Sequence, residues 1–131
     1  MPAALALTVL LGLLALFQLA LVLGAPLGRF AWGGQHRVLP ARLRVGSAVS
    51  IVVYAIVATI AWDRAGVLSV LGDTVSQVAM WVVFGYFALG IAMNAISRSK
   101  AERTTMTVTS VVLAALAFLV AMGHGEMATA A

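Results

Sequence analysis

From Ala3 to Leu23 the chain runs for 21 residues in which Thr8 and Gln18 are the clearly polar side chains. As a helix rising 1.5 Å per residue this run reaches about 31 Å, the thickness of a bilayer's hydrocarbon core. Three further segments, about Val45 to Trp62, Val75 to Ile96 and Met106 to Met122, are likewise free of charge. None alternates apolar and polar residues as a barrel strand does, and lipid admits only helices and closed barrels. The pattern therefore predicts an all-α fold: a four-helix transmembrane bundle forming one membrane domain over 1–131, with spans at about 3–23, 45–62, 75–96 and 106–122. Composition agrees, because 63% apolar and 9% charged residues leave too little polar material to coat a water-soluble globule. The absence of cysteine excludes disulfides, thiol redox chemistry and Cys-ligated metal.

Small residues Gly24 and Ala25 follow the first span, as they would in a cleaved secretory signal. However, no basic residue precedes the apolar run, and removal would deliver the basic segment behind it to the outer side. The span is read as a permanent helix.

Four spans place both termini and the second connection on one side, and the first and third connections on the other. The first connection carries Arg29, Arg37, Arg42 and Arg44 and the third Arg98, Lys100 and Arg103, against Arg64 alone on the opposite side. Basic short loops stay cytoplasmic, so both termini are expected to be extracytoplasmic in an inner (plasma) membrane. The net charge of +4 is thereby assigned to orientation in a bilayer, not to nucleic acid.

The first connection, 24–44, is long for a helical hairpin and rich in glycine, with Phe30 and Trp32 two residues apart. Its glycines, prolines and aromatics fit an interfacial or shallow re-entrant segment whose arginines meet the phosphates of anionic lipid heads; the bland reading, which is favoured, is an ordered cytoplasmic loop that helps anchor the protein. Within it, Gly33-Gly34-Gln35-His36-Arg37 offers a near-neutral titrating group, a guanidinium and open backbone N–H groups. It lacks the Gly-Lys-Ser/Thr of a phosphate loop. At the other side Asp73, followed by Thr74, is expected to cap the third helix.

Polar residues inside the spans gather at the cytoplasmic half. Gln18 lies near the inner end of the first; Ser47, Ser50 and Tyr54 share one face of the second; Tyr86, Gly90 and Asn94 share one face of the third; Thr107 and Ser110 begin the fourth. Facing one another, these stripes line an inward recess, with Gln18 pointing into the bundle because an amide in hydrocarbon seeks a partner. The bland reading of the same residues is interhelical hydrogen bonding, and Gly46 with Ser50 forms a small-xxx-small pair suited to helix packing. The candidate ligand-binding residues are thus Gln18, Arg29, His36, Arg37, Ser50, Tyr54, Tyr86 and Asn94. No catalytic set, metal site or cofactor is expected: there is no embedded carboxylate pair and no His-rich motif, and His124 with Glu126 in the tail is a poor ligand set.

Gly24-Ala25-Pro26-Leu27-Gly28-Arg29, then Trp32-Gly33-Gly34 and Val38-Leu39-Pro40, resembles the first connection of an uncharacterised group of small bacterial four-helix integral membrane proteins. That resemblance implies the fold and supplies no activity. Small multidrug transporters are similar only in size and span number, since their intramembrane glutamate has no counterpart in this first helix. Membrane glutathione-transferase-like proteins share the span number but not their acidic and arginine-rich motif. The expected function is nonenzymatic binding of a lipid headgroup, small ligand or protein partner at the cytoplasmic side. A small channel or transporter, assembled as a homo-oligomer, is the second reading, and a membrane enzyme the third.

Overall fold

The computed structural model describes residues 3–123. Four helices fill it: α1 Ala3–Val22, α2 Ala41–Arg64, α3 Asp73–Ala95 and α4 Lys100–Ala121, with short 3-10 turns at Gly28–Phe30 and Trp32–Gly34. No strand occurs among the described residues, and each helix is long and apolar enough to cross a membrane. Lengths of 20 to 24 residues correspond to about 30–36 Å. The helices form a ring in chain order: α1 packs on α2 and α3 on α4 over most of their lengths, and the α2–α3 and α1–α4 seams close it.

Large apolar side chains point outward. Val9, Leu13, Leu16 and Leu19 on α1, and Val75, Val78 and Val82 on α3, are exposed. In water such a surface would drive aggregation; against lipid tails it is the expected exterior. What the helices bury is smaller. Ala4, Ala61, Ala114, Ala117 and Ala121 let backbones approach, and Leu7, Leu11, Met80, Val83 and Phe87 fill the gaps between them. This core occupies the half of the bundle near the chain termini. A smaller cluster of Leu21, Ala31 and Leu39 closes the opposite half, the basic end, where the first and third connections lie.

Three helices begin earlier than the apolar segments do, α3 by two residues and α2 and α4 by four and six. Pro40 precedes the start of α2, and α4 begins at Lys100, so Arg42, Arg44, Lys100, Glu102 and Arg103 are helical and the third connection shrinks to residues 96–99. The expected Asp73 cap is not made. Gly72 occupies the N-cap position of α3 without a side-chain bond. The acidic anchor of this hairpin is Asp63, buried in the last turn of α2, whose carboxylate accepts the N–H groups of Val70 and Leu71, both at 2.7 Å. Nearby, Arg64 donates to Ala121 O at 3.0 Å and so satisfies a carbonyl at the C-terminus of α4. Trp62 donates to Thr8 Oγ1 at 2.6 Å, which ties α2 to α1 and occupies the polar side chain in the N-terminal half of the first span.

Candidate functional site

Gln18 turns into the bundle, as the cost of an unpaired amide in hydrocarbon dictates. Its Nε2 donates to Tyr54 Oη on α2 at 3.2 Å, while its Oε1 is buried without a partner among the described residues. Across the ring, Asn94 Nδ2 donates to Ser110 Oγ at 2.7 Å and lies 3.4 Å from Met106 O, joining α3 to α4. Gly90, one turn before Asn94, lies on the same seam, where a Cβ would make an ordinary contact with Ser110 Oγ at 3.7 Å. Between these pairs is a cavity of about 430 Å³, bordered by all four helices and by the first connection. That volume falls within the range of small-molecule sites. Gln18, Ser50, Tyr54, Tyr86 and Asn94 all line it.

The first connection folds over the basic end as the cavity's floor. Gly28 sits so close to the returning strand of the loop that a Cβ would lie 1.8 Å from His36 O, and its N–H donates to Arg37 O at 2.9 Å. Ser99, just before α4, donates its hydroxyl to Arg29 O and pins this loop to the third connection. Phe30 packs edge-on against Phe17, with ring centroids 6.4 Å apart. Trp32 adopts φ +54°, a left-handed conformation that costs a bulky residue about 1–3 kcal/mol. Its ring lies over Gly46, where a Cβ would come within 2.7 Å of it, and its Nε1 donates to Ser47 Oγ at 3.2 Å. The two aromatics fold back onto the bundle, and both line the cavity, Trp32 remaining partly exposed. Gly46 likewise serves the loop: its close neighbour is an indole, not another helix. Ser50, its small-xxx-small companion, donates to Gly46 O at 3.1 Å.

Glu102 is the site residue that the sequence reading leaves out. It stands in the first turn of α4, is 8% exposed and lines the cavity. Ser99-Lys100-Ala101-Glu102 has the spacing of a capping box, in which the carboxylate would bond the cap residue's own N–H. Half of the box forms: Ser99 Oγ accepts Glu102 N–H at 3.4 Å. The Ser99 N–H goes to Ser97 Oγ at 3.2 Å instead, so the second bond of the box is not made. The capping-box spacing was the available signal, and reading it would have started α4 at Lys100.

The cavity has a lipid-facing side. Tyr86, Leu89 and Met93 line it from α3, yet are 53%, 63% and 60% exposed on the bundle's exterior. The remaining predicted residues lie apart from it. Arg29 and Arg37 border a separate surface recess with Pro26 and Gly34, and His36 lines neither this recess nor the cavity. Ser47 is occupied by Trp32, and Thr107 Oγ1 is buried without a partner. Among the described residues no three His, Asp or Glu side chains gather as a metal site, while His124 and Glu126 lie outside the described residues. Set against protein-family models, curated proteins and solved structures, the chain matches none.

Proposed function

We propose that this multi-pass membrane protein binds an amphiphile, a lipid or another membrane-partitioned small molecule, in the cavity at its basic end. The observation that carries this reading is the cavity itself. It joins polar side chains, Gln18, Ser50, Tyr54 and Asn94, to an apolar side formed by Tyr86, Leu89 and Met93 along the bundle's lipid-facing surface. A molecule with a polar head and an apolar tail matches both parts, entering from the bilayer without crossing water. The seven cations at this end favour a cytoplasmic position for it, with both termini outside, and Arg29 and Arg37 on the neighbouring recess supply charge for anionic headgroups at the rim.

Native mass spectrometry of the full chain released from its membrane tests the reading and gives stoichiometry in the same spectrum. The expected result is a retained adduct of lipid mass that is lost in Ser50→Phe, which fills the cavity, and weakened in Gln18→Leu. Adducts of equal occupancy in the Ser50→Phe variant would place the bound molecule elsewhere and overturn the proposal.

A further inference from the structure

We infer that the cavity selects an amphiphile with a positively charged head, an organic ammonium, with Glu102 as its counter-ion. This rests on the reading of the cavity as a binding site and deepens it by naming the ligand class.

A carboxylate at the wall of a cavity attracts a cation that enters it. Glu102 is nine-tenths buried, and the capping bond that its position offers is not made. Three of the seven cations at the basic end have partners of their own. Arg103 donates to Ser97 O at 3.2 Å, Arg44 to Leu39 O at 2.8 Å, and the Arg29 guanidinium lies 4.8 Å from the centroid of the Phe30 ring. The other walls supply what an ammonium prefers. Phe30, Trp32, Tyr54 and Tyr86 share the cavity with Glu102, and aromatic faces attract organic cations through the negative face of the ring. A carboxylate and aromatic walls together favour a weakly hydrated cation over a neutral or anionic head, since an anion would meet Glu102 with like charge. Its tail has a route out along Leu89 and Met93.

The test uses the purified full chain in neutral maltoside micelles, with radiolabelled dodecyltrimethylammonium and radiolabelled dodecanol as probes of equal chain length. Both are expected to bind saturably, the ammonium about tenfold more tightly, the increment of a single favourable charge interaction. Glu102→Gln should abolish that advantage, bringing the two probes to equal affinity, whereas Glu102→Asp should keep most of it. An advantage that survives in Glu102→Gln overturns the counter-ion role while leaving the cavity as a site. Equal affinity of the two probes in the unaltered chain overturns it independently, so the test stands even if the glutamine variant does not fold. Saturable binding of neither probe is a different failure, that of the cavity as a binding site.

Discussion

Gly28 and Gly12 carry the same side chain in opposite surroundings. At Gly28 an added methyl would meet a backbone carbonyl oxygen, His36 O, at 1.8 Å, whereas at Gly12 nothing lies within 4 Å. Backbone cannot swing aside as a side chain does, so Gly28→Ala must open the loop that floors the cavity. A loss of about 1–3 kcal/mol is expected, of the size seen for overpacking. Gly12→Ala sits on the lipid-facing side of a helix and should instead gain up to about 1 kcal/mol from helix propensity. Thermal unfolding of the two variants in the same detergent checks the opposite signs. At this scale the sequence was partly readable. An amide within an apolar span must seek a partner, which points Gln18 inward. Nothing in the spacing of Gly46 and Ser50 distinguishes a helix neighbour from the Trp32 indole that packs there.

Among the elements, α4 depends on its first turn. Ser99 accepts the Glu102 N–H and donates to Arg29 O, so one hydroxyl both caps the helix and fastens the first connection to it. Ser99→Ala is expected to cost about 1 kcal/mol as the loss of an N-cap. Its distinctive mark is faster amide hydrogen exchange at both the start of α4 and Phe30–Gly34, with the α2–α3 hairpin unchanged. Exchange confined to α4 would show that the hydroxyl does not hold the loop. The hairpin has its own anchor in Asp63, which binds Val70 and Leu71 where the sequence suggested an Asp73 cap. Both acids border the same short connection. Gly72 takes the cap position, while burial of Asp63 supplies a carboxylate within reach of two free N–H groups.

For the whole molecule, the proposed orientation follows from an imbalance of seven basic residues against one. A reporter enzyme active only outside the cytoplasm, fused to the C-terminus, should be active in intact cells. Replacing Arg98, Lys100 and Arg103 with Gln should reduce that activity by populating the inverted form, because the charge difference between the two sides sets the direction of insertion. Activity absent from the unaltered chain, and present in a reporter inserted in the first connection, would reverse the assignment of the cavity to the cytoplasmic face.

Length and apolarity alone determined four membrane-crossing helices, because a backbone in hydrocarbon must satisfy its own hydrogen bonds within each segment. Helical spacing also put Tyr86, Gly90 and Asn94 on one face, and all three border the cavity. Tertiary structure alone decided that the glycine-rich connection folds back as a floor, that Arg29, His36 and Arg37 fall outside the cavity, and that Glu102 enters it. The division has a physical cause. Partition into lipid and helix periodicity are properties of a segment and can be summed along the chain, whereas close approach at Gly28 or the burial of one carboxylate depends on residues far away in sequence.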